Sequence, residues 1–304
     1  MSSADRAVVI VSGGAASSPF TTPDAVCRAR LPAGNTATFL REGLLAAGHE
    51  VFTAPAALGP GTADADLDWQ GFADPPEVLP ARVTVNSVGT IDAAGASLVR
   101  FLGLLTERHG YRTFDLVCHS MGGLFSRAAL RILRDVASPL SVRSLVTIGT
   151  PWTGSFAADY VAGDLSLDAL GGDGRLEAVL LGFAEEVAAF PAGGVVAQVS
   201  RRYLAGPSGW NVRQRGVLDG LRVTLIGGDA FGAAGSRQVW PSDGLVAVDS
   251  ALAADVPAVV LPRWTSHTFG DVHSSFFAEQ FGLPWERALT WDPAVLAVVR
   301  DALS

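Results

Sequence analysis

The sequence predicts an α/β fold: a mostly parallel central sheet with helices on both faces. Three observations carry that expectation. Short β-branched runs alternate with segments of helical spacing along most of the 304 residues. The runs are continuously apolar, as in Ala7-Val8-Val9-Ile10-Val11, which is the pattern of strands buried on both faces. Several end in turns of small residues, such as Ser12-Gly13-Gly14-Ala15 and Gly227-Gly228-Asp229. In a parallel sheet, loops of that kind gather at one rim.

In chain order, the first strand is Ala7–Val11, and a helix follows over Asn35–Ala47 with Phe39, Leu40, Leu44 and Leu45 on one side, closed by Gly48. Val51–Ala54 is a second short strand. Residues 55–90 are rich in Pro, Gly and Asp and read as an irregular excursion. Asp64, Asp66 and Asp68 alternate like the start of a calcium loop, but Trp69 replaces the hinge glycine and Pro75 the closing glutamate, so an EF-hand is excluded. Ile91–Arg108 is an amphipathic helix on Ala94, Leu98, Phe101, Leu102 and Leu105. Phe114–Val117 and Val142–Ile148 are buried-type strands.

From Ser155 to about Asp219 the rhythm breaks. Leu176, Val179, Leu180, Phe183 and Val187 mark a helix there, and an insert of this length is expected to be a lid or cap, or a helix packed onto the core. Leu221–Ile226 and Ala258–Leu261 complete the expected strands. Ser274–Phe281 is the expected terminal helix, with Phe276, Phe277 and Phe281 turned inward. With no internal repeat and no low-complexity linker, one domain spans 1–304, with 155–219 as its insert.

Composition bounds the function. Nearly half the chain (49%) is hydrophobic, enough for a sizeable core, and the net charge of -8 argues against a nucleic-acid partner. No run reaches the ~18 apolar residues of a membrane span. Ala7–Val11 is too short for a signal-peptide core of ~7–15 residues. The chain is therefore expected to be cytoplasmic, or secreted if a leader has been removed. Two cysteines, Cys27 and Cys118, make no disulfide framework and are expected to be reduced.

The chemistry centres on Cys118-His119-Ser120-Met121-Gly122, set between a strand and the helical run that starts at Gly122. This is a near match to the G-x-S-x-G nucleophile elbow, with Cys118 in the first glycine position. A sharp strand-to-helix turn strains the backbone of Ser120 and lifts its hydroxyl onto a helix N-terminus. The plain alternative is a glycine-rich turn. A serine hydroxyl needs a base, and the base needs a carboxylate to fix its tautomer. In the elbow architecture the order is Ser, then acid, then His.

Asp243, opening the tight turn Asp243-Gly244-Leu245-Val246, stands ahead of Asp229, with Asp249 last. His273, just before the terminal helix, stands ahead of His267 as the base. His49 and His109 read as surface residues. His119 adjoins the nucleophile, but neighbouring side chains on a sharp turn diverge, which puts it behind the site. The oxyanion of an attacked carbonyl would be met by the N–H of Met121 and, by its offset from Val11, that of Gly14.

Together these residues resemble a lipase or esterase of the α/β-hydrolase superfamily. Val117-Cys118-His119-Ser120-Met121-Gly122-Gly123 is similar to the nucleophile segment of bacterial triacylglycerol lipases. Thr147-Ile148-Gly149-Thr150-Pro151-Trp152-Thr153-Gly154-Ser155 resembles the segment after their next strand, and Ser242-Asp243-Gly244-Leu245-Val246 their acid loop. The resemblance implies an α/β-hydrolase fold with a helical lid, and Asp243 as the acid.

The chain departs from the pattern in three places. Ser12-Gly13 stands where relatives carry His-Gly. Trp152 stands where many have a small or polar residue, so a bulkier pocket wall and a smaller substrate are expected. Some relatives place a calcium-binding carboxylate two residues after the histidine; here that residue is Ser275, and no metal is carried over. The leading expectation is a serine esterase acting on esters with an apolar acyl part, without cofactor. An acyltransferase or thioesterase using the same triad is the first alternative, separable by product analysis with added alcohol or amine. An inactive binding module of the same fold is the second, separable by a fluorophosphonate probe.

Overall fold

The computed structural model describes residues 6–28, 35–63, 71–190, 194–232 and 235–304. Eight strands lie among them: β1 (Arg6–Val11), β2 (Val51–Thr53), β3 (Ala56–Ala57), β4 (Val85–Asn86), β5 (Thr113–His119), β6 (Ser141–Ile148), β7 (Arg222–Gly228) and β8 (Thr265–Phe269). Six form one sheet in the order β2-β1-β5-β6-β7-β8, every neighbouring pair parallel. β3 and β4 pair separately.

The two-residue period of a strand sends alternate side chains to opposite faces. Val8, Ile10, Val117, Val146, Ile148 and Ile226 point to one face, which α1 (Asn35–Ala46) covers with Leu40 and Leu44. Val9, Val11, Leu116, Cys118, Leu145 and Leu225 point to the other, under α2 (Ile91–His109) and α3 (Gly122–Asp135). Both faces are dry, which is why the strands read as unbroken apolar runs. Helix α2 starts where the Thr90 hydroxyl accepts the Ala93 N–H and stops at Gly110, which takes the left-handed conformation that glycine tolerates best. At its crossing with α3, a Cβ on Gly95 would stand 2.5 Å from that of Ala128, so only a glycine fits.

Within the insert run α4 (Phe156–Val161), α5 (Gly174–Val187), α6 (Val195–Gln198) and α7 (Arg201–Ala205), then a 3₁₀ turn at Trp210–Gln214. The insert packs as two halves. Phe156, Leu176 and Leu180 join a cluster with Phe231, Trp240 and Val272, whereas Val195, Val199, Leu204 and Trp210 belong to the main core. The second half is pinned by Arg127 of α3, whose buried guanidinium lies 4.2 Å from the ring centre of Trp152 and 4.9 Å from that of Trp210. It donates from Nη2 to Asn211 at 2.7 Å, and the Asn211 amide donates to the Trp152 carbonyl at 2.9 Å.

The chain continues through α8 (Val248–Ala251), α9 (Ser275–Gln280) and α10 (Pro293–Ala302). Three sequence expectations fail in this last part. Ala258–Leu261 is a turn, not a strand: Pro257 and Pro262 bracket it, and the Pro257 carbonyl accepts the amides of Val260 and Leu261. The last strand is β8, whose polar sequence Thr-Ser-His-Thr-Phe carries no apolar run because it is an exposed edge. The chain also does not end its helices at Phe281, since α10 lays Val295 and Val299 on the α1 face. Phe276 points outward, 64% exposed, while its neighbour Ala278 is buried. The calcium-loop aspartates Asp64, Asp66 and Asp68 and Trp69 lie outside the described residues. No helix among the described residues is long and apolar enough to cross a membrane.

Candidate active site

β5 delivers Ser120 to the carboxyl rim of the sheet, and α3 leaves from it at once. Ser120 has φ 52°, a left-handed conformation that is strained for a residue with a side chain. Its surroundings hold it there: its N–H donates to the Ile148 carbonyl at 2.8 Å, and its own carbonyl accepts the Thr150 hydroxyl at 2.7 Å. The neighbouring backbone closes in tightly. A Cβ on Gly122 would stand 2.4 Å from the Val11 carbonyl oxygen, and one on Gly13 would stand 2.7 Å from the Ser120 Cβ. Cys118 fits the first motif position because its side chain is buried beneath the turn with its thiol 3.1 Å from the Ser126 hydroxyl, and burial pushes that thiol up to about 12.

Asp243 and His273, separated by 30 positions in sequence, are bonded twice. His273 donates from Nδ1 to Oδ2 of Asp243 at 2.7 Å, and its backbone N–H donates to the Asp243 carbonyl at 2.9 Å. The other carboxylate oxygen accepts the amides of Leu245 at 2.9 Å and Val246 at 2.8 Å, the tight turn expected of Asp243-Gly244-Leu245-Val246. Asp243 is wholly buried and His273 nearly so. A carboxylate on Nδ1 assigns the neutral ring a proton there and leaves Nε2 as its acceptor.

Ser120 and this pair flank one peptide. Ile148 takes the Ser120 N–H, and the next residue, Gly149 (φ 59°), is so close to the pair that a Cβ would stand 3.0 Å from the His273 ring and 3.2 Å from Asp243 Oδ2. His119 bridges them from behind, with its Nε2 2.9 Å from the His273 carbonyl and the two rings 4.8 Å apart. Burial and the neighbouring His273 pull His119 down to about 3, so it stays neutral and donates.

Over Ser120 lies a small cavity of about 70 Å³, lined in part by Gly14, Met121, Leu245 and Val246 and by Phe183, Phe190, Val195 and Val199 of the insert. Gly14 and Met121, the expected oxyanion donors, thus sit on the wall beside the hydroxyl. Trp152 does not line this cavity. It is fully buried, with its indole N–H donated to Thr147 and its face against Arg127, and Pro151 takes its place on the wall. The segment turns at Gly149 and points the larger residue into the core.

The other candidates fall away. Asp229 is exposed and meets Phe269 only through its backbone N–H. His267 lies within β8 and lines a larger cleft of about 790 Å³ at the opposite, amino end of β7 and β8, with Arg222 and Trp264. That cleft is bigger but carries no serine on its lining. Asp249 pairs with Arg237 at 2.5 Å. Sequence reasoning missed Gly13, Gly149 and Thr150, which touch the site only through backbone shape or one hydroxyl.

A family model described as alpha/beta hydrolase matches residues 2–164, more than half of the sequence and the part that contains β1, the elbow and β6. The chain belongs to the α/β-hydrolase family. Solved structures share the whole architecture at low identity. The mature lipase BlEst2 of Bacillus licheniformis is 15% identical with a TM-score of 0.56, over 98% of this chain and 92% of that one. Staphylococcus hyicus lipase is 15% identical with a TM-score of 0.55, over 99% and 95%. A thermostable carboxyl esterase of Bacillus coagulans is 10% identical with a TM-score of 0.50, over 98% and 91%. At these identities the likeness is one of fold. No curated protein sequence matches the chain.

Proposed function

We propose that this α/β hydrolase is a serine carboxylic-ester hydrolase, with Ser120 as nucleophile, His273 as base and Asp243 as the acid behind it. The reading is carried by one observation: a strained serine at a strand-to-helix turn shares the Ile148–Gly149 peptide with a buried histidine–carboxylate pair. The Ser120 hydroxyl attacks the ester carbonyl while Nε2 of His273 takes its proton. Asp243 holds the ring and stabilises the imidazolium. The N–H groups of Met121 and Gly14 receive the oxyanion. His273 then protonates the departing alcohol, and water repeats the sequence to release the acid. The insert 155–219 acts as the lid, with α5 as its roof.

A fluorophosphonate probe tests this directly. The adduct is expected on Ser120 by mass spectrometry, with p-nitrophenyl butyrate turned over by the wild type and not by Ser120→Ala. An unlabelled Ser120 in folded protein that also leaves the ester intact sinks the proposal.

A further inference from the structure

The cavity over Ser120 has one dry, inner wall and wetter ones at the Gly14–Ala15 loop and along α5. Met121, Val195, Val199 and Val246 on the inner wall are each no more than 6% exposed. Phe183 and Phe190 on the outer side are half-buried, and Glu186 beside them is exposed. The inner wall is tied to the body of the fold at both ends: the Val195 N–H donates to the Val88 carbonyl, and the Val199 carbonyl accepts the Ser155 N–H. Its depth is therefore set by the core, whatever α5 does.

That depth is small. At roughly 10–15 Å³ of free space per water-sized group, the cavity of about 70 Å³ holds about five to seven heavy atoms, against roughly 300–1,000 Å³ for pockets that enclose drug-sized ligands. Its chemistry is equally restrictive. The Ser155 hydroxyl on the wall already donates to the Leu245 carbonyl at 2.8 Å, so a polar acyl tail gains no donor there. The Glu186 carboxylate at the outer side opposes a negatively charged one.

We infer that the acyl subsite takes a short, uncharged acyl group of about two to four carbons, with Val195 and Val199 as the residues that set its length. This rests on the ester-hydrolase reading above. Acyl chains that outgrow the inner wall must double back toward the roof or stay in water, and both weaken the transition state relative to butyrate.

The test is a series of p-nitrophenyl esters from acetate to palmitate, with active sites counted by fluorophosphonate titration. In the wild type, kcat/KM is expected to peak at acetate to butyrate and to fall at least about 100-fold by octanoate, in the range that pocket contacts discriminate. The hemisuccinate ester is expected to be poorer than butyrate. Val195→Ala and Val199→Ala should each raise the octanoate-to-acetate ratio about tenfold, with the titration confirming folded sites. A wild-type profile that is flat or climbs toward octanoate overturns the inference while leaving the hydrolase reading intact. So do unmoved ratios in both variants with full titration. No titration and no turnover of any ester removes both.

Discussion

The Nε2 of His119 donates to the carbonyl oxygen of His273 at 2.9 Å, so the residue before the proposed nucleophile grips the backbone of the proposed base. Burial and the neighbouring His273 hold His119 neutral down to about 3. We predict that His119→Phe lowers kcat for p-nitrophenyl butyrate about 10-fold to 100-fold, the scale of one buried hydrogen bond of ~1–3 kcal/mol. His119→Gln, which keeps a donor near the same place, should recover most of it. Equal loss in both variants would mean that His119 only fills space.

Asp243 and Asp229 make a paired test. Replacing the carboxylate that fixes a histidine tautomer costs kcat about 10⁴-fold in a triad of this kind, and that is the expected result for Asp243→Asn. Asp229→Asn should stay within about twofold, because its exposed side chain touches nothing in the site. Steady-state kinetics of the two variants decide between them, and the reverse result would overturn the choice of acid.

Asp271, two residues before His273, is pushed up to about 7, first by burial and then by the Asp292 carboxyl. An unfolded aspartate titrates near 3.9. Between about pH 4 and 7 the folded chain therefore binds more protons than the unfolded one, and stability falls as pH rises through that window. Above about 7 the contribution is flat. Asp271→Asn should flatten the slope of Tm against pH and raise Tm at pH 8 by a few °C. An unchanged slope by scanning calorimetry would show that the carboxyl ionises as in water.

Two glycines of α2 should respond in opposite directions. Gly95→Ala forces a methyl to 2.5 Å from Ala128, and overpacking of this kind costs ~1–3 kcal/mol. Gly103 on the same helix has open space around it, so Gly103→Ala should stabilise by up to ~1 kcal/mol. Thermal unfolding of the two variants measures both.

The elements that were legible in the sequence are those whose environment is uniform. β1, β5, β6 and β7 are dry on both faces, so composition reports them directly, and α2 carries its cap residues at Thr90 and Gly110. β8 was missed because an edge strand exposed to water has no reason to be apolar. The apolar residues between Pro257 and Pro262 mimic it: Val260 and Leu261 are buried in the turn as they would be in a strand, while Ala258 and Val259 are exposed. The omission of α10 has a different cause: Asp292 and Pro293 are a readable start, with the Asp292 side chain accepting the Ala294 N–H. In the candidate site, chain order singles out Ser120, Asp243 and His273, and the fold brings Asp243 and His273 into a hydrogen bond beside the Ile148–Gly149 peptide that holds Ser120. Trp152 was misplaced because residue type does not say which way a loop turns, and Gly149 decides that.

Arg127 has a consequence for how specificity could change in this molecule. Its guanidinium, sandwiched between two indoles, acts as a rivet through α3 and the rear of the insert. Under the proposed hydrolase reading, whatever gives way to admit a substrate must do so on the α5 side, ahead of that rivet. The α5 face is thus an exchangeable part: its residues can be rewritten without disturbing Ser120 beneath.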